Sequence, residues 1–291
     1  MAVDVYKMVT DRILELLSQG EIPWTKPWVG GNSTAISYTS RKPYSLLNQM
    51  LLGAPGEYIT FNQCKKLGGY VNKGAKSKSV VFWKMLVKTT HENGKDNVQV
   101  IPFLRYYHVF NIADCTGIES KLPKVELNSV PADERAEAAI ADYVARSGIG
   151  YHLQSQNRAY YSPAEDAVYL PLMEQFKSAA GFYETALHEL THSTGHSSRL
   201  DRFSGEKAYF GNEVYSKEEL VAEIGSASLM NMLGLETDAT IKNNAAYVQS
   251  WMKALQNDPR MVVGAASKAQ KAVELIMNIQ TADNEGEEDE D

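Results

Sequence analysis

Five consecutive residues, His188-Glu189-Leu190-Thr191-His192, carry the most specific chemistry in this 291-residue chain. Two histidines four apart on a helix project from one face, so both imidazoles can reach one metal ion. Glu189 is then placed to take a proton from a water attacking a carbonyl. This grouping belongs to zinc hydrolases, above all metallopeptidases. The bland alternative is a surface helix with two satisfied histidines. The helix required is legible over residues 178–194, with Leu187 and Leu190 directed away from the histidines.

The third ligand defines the class. The metzincin pattern wants Gly three and His six residues after the second His. Gly195 fits, but residue 198 is Ser198, so that pattern fails. His196 lies one further turn along, and three successive turns of a straight helix do not converge on one tetrahedral ion. Gly195 is also placed to end the helix first. His196 is therefore read as an active-site residue outside the ligand set. Downstream, Tyr215-Ser216-Lys217-Glu218-Glu219-Leu220-Val221-Ala222-Glu223 sets Glu219 and Glu223 four apart on one helix face. A gluzincin-like site takes a Glu from a later helix as its third ligand, and an acid one turn on supports a ligand His. Glu219 is preferred as the ligand and Glu223 as its support, the reverse order staying open. Ser216-x-x-Glu219 is also a capping box, in which Glu219 would only bond the Ser216 amide. Tyr215 and His196 are the candidates for stabilising an oxyanion.

The elements around this site follow from periodicity. A helix is expected over 132–147, then short strands at 151–153, 159–161 and 167–170, with a turn at 162–166. The order strand, connection, HExxH helix is that of zincin peptidases, in which an edge strand holds extended substrate by main-chain bonds. Helices are expected from 218 or 220 to 233, over about 239–255 and over about 265–279.

The first half reads differently. Helices are expected over 3–19 and, after Pro43-Tyr44, through Leu46, Leu47, Met50 and Leu51 to Gly53, with a short one behind the capping box Thr60-Phe61-Asn62-Gln63. Residues 70–88 read as strands around Lys73-Gly74, and 99–110 as a strand leading toward the second domain, with the linker inside 111–130. Trp24 and Trp28, set on an extended segment by Pro23 and Pro27, read as packing anchors. Between Tyr58 and Thr90 there are seven lysines and no acid, interleaved with aromatics. Lys65, Lys66, Lys73, Lys76 and Lys78 could neutralise phosphates while Tyr70 and Trp83 stack on exposed bases. The competing reading is a strand pair with core aromatics and solvated lysines.

Composition sets the frame. At 291 residues, 44% hydrophobic and 22% charged, the chain fits two ordinary globular domains. Residues 1–110 hold 14 Lys/Arg against 7 Asp/Glu, a balance of +7; residues 111–291 hold 15 against 29, a balance of −14. Seven of those acids lie in residues 283–291, which carry no base and are expected to be a disordered tail. The contrast points to an anionic partner for the first half. No apolar run is long enough to span a bilayer, and the first residues carry no secretory pattern. Cys64 and Cys115 are isolated, which suits a reducing cytoplasm without a disulfide framework.

Taken together these motifs resemble the ArdC-type antirestriction family over nearly the whole chain. The resemblance rests on Pro23-Trp24-Thr25-Lys26-Pro27-Trp28, on Arg41-Lys42-Pro43-Tyr44 with Asn48, and on residues 60–76. In the second half it rests on residues 188–196, 199–202, 215–223 and on Tyr247-Val248-Gln249-Ser250-Trp251. It implies an α+β fold: a single-stranded-DNA-binding domain (1–122), then a zincin-like, mainly helical metallopeptidase domain with a small antiparallel sheet (123–282), ahead of the tail (283–291). It also implies Zn²⁺, an unidentified protein substrate and a role in helping mobile DNA escape restriction. Two rivals stand beside this. One is a DNA-coating protection factor with a structural or vestigial metal site. The other is a DNA–protein crosslink protease.

Overall fold

The computed structural model describes residues 4–19, 22–24, 34–92, 95–122, 132–203, 213–235 and 245–279. The chain is mixed α and β and forms two compact units. One contains the residues up to Val9 and Thr34–Leu122; the other contains Thr10–Ser33 and Pro123–Thr281. Trp28, residues 123–130 and the acidic tail lie outside the described residues.

The first unit follows the start of helix α1 (Val5–Ser18). It comprises β1 (Ala35–Ser37), α2 (Leu46–Leu52), β2 (Gly56–Ile59), α3 (Phe61–Lys66), β3 (Tyr70–Val71), β4 (Lys78–Glu92), β5 (Lys95–Asn111) and β6 (Cys115–Thr116). Four strands form one sheet in the order β1-β2-β5-β4, and β3 pairs with β6. The expected pairing around Lys73-Gly74 is therefore corrected. β4 pairs with β5, from Lys78↔Val109 to Glu92↔Lys95. The strand read at 99–110 belongs to this unit and does not lead out of it. Long-range burial decides this: Val80 and Val109 both enter the cluster formed with Leu52 and Tyr58, and a local turn pattern cannot report that.

Local signals hold up well here. Ser45 caps α2, and Gly53 ends it in the left-handed conformation, φ 62°. The capping box of Thr60 and Gln63 forms as expected. Asn48, buried on α2, lines the outer edge of β4: its Nδ2 donates to Val81 O at 2.7 Å and its Oδ1 accepts from Val81 N at 2.8 Å. The buried Glu57 carboxylate pairs with Arg41 and accepts from Ser120 Oγ at 2.6 Å and Lys121 N at 3.0 Å, holding the end of this unit against its sheet. Cys64 and Cys115, isolated in sequence, meet in one apolar cluster as free thiols. Burial and the neighbouring Cys64 push the Cys115 thiol up to about 12.

The second unit contains α4 (Ala132–Ser147), β7 (Gly150–Gln154), β8 (Tyr160–Ser162), β9 (Ala167–Pro171), α5 (Ala179–Ser193), α6 (Glu213–Leu233), α7 (Ala245–Asn257) and α8 (Met261–Met277). Its sheet runs β7-β9-β8. β8 and β9 are antiparallel, but β7 and β9 are parallel. The small sheet is thus mixed, where an antiparallel one was expected. The strand preceding the HExxH helix is the central one, and β8 is an edge. Val168 and Leu170 bury one sheet face, and Leu187, Leu190, Leu220 and Ile224 join the helices. Trp24 packs edge-on against Trp251 at 5.4 Å, and Thr10 Oγ1 donates to Pro259 O at 2.7 Å. The segment after Val9 is therefore part of this unit's core, with Trp24 an anchor as expected. No described helix is long and apolar enough to cross a membrane.

Candidate metal centre

Helix α5 starts where Ser178 accepts from Gly181 N at 3.1 Å. Phe182, Tyr183, Ala186, Leu187 and Leu190 bury one side, leaving His188, Glu189 and His192 half-buried on the other. The helix stops at Ser193, and Gly195 follows; a Cβ there would lie 2.6 Å from the Phe203 ring. Two arginines bind the freed carbonyls of the last turn. Arg199 Nε donates to Ser193 O at 2.9 Å, and Arg202 Nη2 donates to Thr191 O at 2.9 Å. Helix α6 crosses closely, since a Cβ on Gly225 would sit 2.6 Å from Thr191 Cγ2. Because α6 begins at Glu213, Ser216 lies inside it and cannot be its N-cap. The capping-box alternative for Glu219 thereby falls, and Glu219 points across to α5.

His188, His192 and Glu219 each offer an atom within 4.8 Å of the others. The two Nε2 atoms are 3.1 Å apart. Glu219 Oε2 lies 3.6 Å from His188 Nε2, and Oε1 lies 3.4 Å from His192 Nε2. Bonds of about 2.0–2.1 Å to a tetrahedral ion require ligand separations of about 3.3–3.4 Å. The three separations bracket that value, so this donor set fits a small divalent cation.

Electrostatics mark the same place. Burial lowers the affinity of His192 for a proton, but Glu218 and Glu219 outweigh it and hold its pKa at about 10. Burial raises Glu219, yet His188 and His192 bring it well below the usual carboxylate range. Such opposed shifts mark His188, His192 and Glu219 as one electrostatically coupled cluster.

The remaining expected site residues are distributed as follows. Glu189 lies on the same side of α5, and its charge reaches His192. Glu223 also feels His188, Glu219 and His192; burial first, then Glu219, push its carboxyl up. It makes no described hydrogen bond to either histidine. At His192 Nδ1 the carboxylate present is Glu218, at 3.4 Å. His196 Nδ1 lies 2.8 Å from Ser198 Oγ and 3.9 Å from Asp166 Oδ2. Asp166 in turn pairs with Arg199 and accepts from Tyr161 OH at 2.8 Å. Tyr215 lies on α6, its side chain outside the described residues. Sequence reasoning missed Glu218; Arg202 was read, with Arg199 and Asp201, only as a charge that could form a structural ion pair or line the cleft, and it pairs with Glu218. Two adjacent acids, Glu218-Glu219, were the available signal.

In the first unit Lys65, Lys66, Lys73 and Lys76 are exposed and Lys78 is half-buried. Tyr70 is 62% and Trp83 41% exposed, as a stacking platform requires. Phe61, another of the aromatics interleaved with these lysines, is 56% exposed one turn before Lys65.

Fold and site define a class: a zincin-like metallopeptidase domain preceded by an α+β domain. Residues 135–268 match the zincin-like metallopeptidase family, and residues 3–110 match the N-terminal domain of the anti-restriction factor ArdC. The chain belongs to the ArdC antirestriction family. It is similar to the crystal structure of the antirestriction ArdC protein from plasmid R388. Against the metal-free form the identity is 35% and the TM-score 0.73, over 96% of this chain and 100% of that one. Against the Mn(II)-bound form they are 36% and 0.72, over 95% and 98%. An uncharacterized protein, y4eC, of Sinorhizobium fredii (strain NBRC 101917 / NGR234) is 32% identical over 94% of this chain and 91% of its own length. A DNA primase TraC of Escherichia coli is 37% identical over 94% of this chain, but the chain spans only 27% of that protein.

Proposed function

We propose that the chain binds single-stranded DNA through its first unit and carries a zinc peptidase site in its second, protecting incoming mobile DNA from host restriction in the cytoplasm. The observation that carries the peptidase reading is the convergence of His188, His192 and Glu219 at tetrahedral spacing beside Glu189. These three side chains would hold Zn²⁺. When bound, Zn²⁺ supplies Lewis acidity that polarises a peptide carbonyl and acidifies a water. Glu189 takes the proton of the attacking water and returns it to the leaving amine. Tyr215 or His196 donates to the developing oxyanion. The substrate is an unidentified protein.

For DNA, the exposed lysines of residues 65–76 supply charge and Tyr70 and Trp83 supply ring faces. Relatives named as DNA primases are in keeping with a chain that meets DNA. The functional domains are taken as 1–122 and 123–282, ahead of the acidic tail 283–291.

The test compares wild type with Glu189→Ala. The variant is expected to retain metal while losing proteolysis by about 10²-fold or more. Equal cleavage by both would sink the mechanism. Full protection from restriction by the variant would instead assign protection to DNA coating alone.

A further inference from the structure

One buried charged pair beside the metal centre has no part in the peptidase chemistry. Glu218 and Arg202 are 15% and 5% exposed. Arg202 Nη2 donates to Glu218 Oε1 at 2.7 Å and Nε donates to Oε2 at 3.1 Å, a two-pronged grip. The same guanidinium donates to Thr194 Oγ1 at 2.6 Å and to Thr191 O at 2.9 Å, both at the end of α5. Glu218 Oε1 then stands 3.4 Å from His192 Nδ1.

Stability alone does not account for this arrangement. A buried ion pair gains little over well-packed apolar side chains, because desolvation offsets its attraction. What the pair does have is a fixed position relative to one imidazole. Glu218 and Glu219 are consecutive on α6, yet they address opposite nitrogens of His192: Glu218 faces Nδ1, and Glu219 faces Nε2 at 3.4 Å. A carboxylate at Nδ1 keeps the proton on that nitrogen and leaves the Nε2 lone pair toward His188 and Glu219. Arg202 prevents Glu218 from rotating away, and a lysine cannot reproduce its fork. Among the described residues, no carboxylate hydrogen-bonds His188 Nδ1.

We propose that Glu218, held by Arg202, is the positioning residue that sets the tautomer and orientation of His192 for metal capture. This rests on the reading of His188, His192 and Glu219 as ligands. Arg202 thereby ties the end of α5 to the start of the ligand-bearing stretch of α6.

The experiment titrates metal-free full-length protein with Zn²⁺ against a competing chelator, alongside thermal unfolding of each metal-free variant. Glu218→Ala is expected to raise the Zn²⁺ dissociation constant by about 10–100-fold. Glu218→Gln, which retains an acceptor, is expected to recover part of that loss. Arg202→Lys should weaken binding in the same direction, and Glu218→Ala/Arg202→Lys together should do no more than Glu218→Ala alone. Asp166→Asn breaks the other arginine clamp at the end of α5; it should lower the unfolding temperature but leave the dissociation constant within about threefold. If Glu218→Ala binds Zn²⁺ as wild type does while His192→Ala abolishes binding, the positioning role is overturned and the ligand reading stands. If His192→Ala also binds normally, the ligand reading falls and the proposal falls with it. Equal weakening by Asp166→Asn and Glu218→Ala would reduce Glu218 to a structural role and overturn the proposal.

Discussion

At the scale of single residues, His192 concentrates the chemistry. Its pKa in the metal-free protein lies at about 10 and its unfolded value near 6.5. A raised folded pKa stabilises fully below about 6.5, and that contribution is lost as pH rises through about 10. A cation must displace this proton, so binding and proton release are coupled. Calorimetry in buffers of different ionisation enthalpy should find close to one proton released per ion near pH 8. Zn²⁺ affinity should rise with pH up to about 10, and a pH-independent affinity would contradict the protonated cluster. The spacing of His188 and His192 was legible because helical periodicity converts four residues into one shared face. Glu219 was legible through the same periodicity. Glu218 was not, because consecutive helix residues point about 100° apart and only the packing of α6 on α5 brings both to one imidazole. Arg202, which reaches the site from beyond the helix end, was legible only as a charge that could pair or line the cleft, without its partner.

Elements divide into those specified locally and those specified by distant partners. Thr60 and Ser178 placed the starts of α3 and α5, and Gly53 the end of α2, to within a residue or two, since each acts on its immediate neighbours. β-pairing was less legible. Residues 70–71 pair with 115–116 and not across Lys73-Gly74, because the partner of a strand is chosen by shared burial. Glu57 illustrates a distant specification that pH can probe. Burial disfavours its charge, but Ser120, Arg41 and Lys121 together lower its pKa. A depressed folded pKa contributes stability above the unfolded value of about 4.5, lost as pH falls through the folded one. Glu57→Gln should therefore destabilise the first unit at neutral pH and flatten its acid-unfolding limb, read by circular dichroism between pH 3 and 7. An unchanged limb would mean that this carboxylate does not hold the segment at residues 120–121.

The whole molecule joins a basic first part to an acidic second part, and composition displayed that contrast before any fold was known. The course of the chain was less visible: Thr10 and Trp24 lie in the second unit, although their sequence neighbours open the first. Exposure of Lys65, Lys73 and Lys76 leads to a salt-linked expectation. Every lysine that neutralises a phosphate adds about 0.7 to the steepness of log K against log salt for single strands, so its change to Ala should remove that increment. The triple variant should show this in fluorescence anisotropy with a labelled oligonucleotide; an unchanged slope would move the DNA surface elsewhere. The proposed peptidase chemistry would depend on one metal held by His188, His192 and Glu219 between α5 and α6. Equilibrium titration of metal-free protein with Zn²⁺, with bound metal counted per chain, tests this most directly. One ion per chain is predicted for wild type and Glu223→Gln, and none retained at micromolar concentration by His188→Ala or Glu219→Gln. Full retention by Glu219→Gln, with loss in Glu223→Gln, would contradict the ligand set drawn from this geometry.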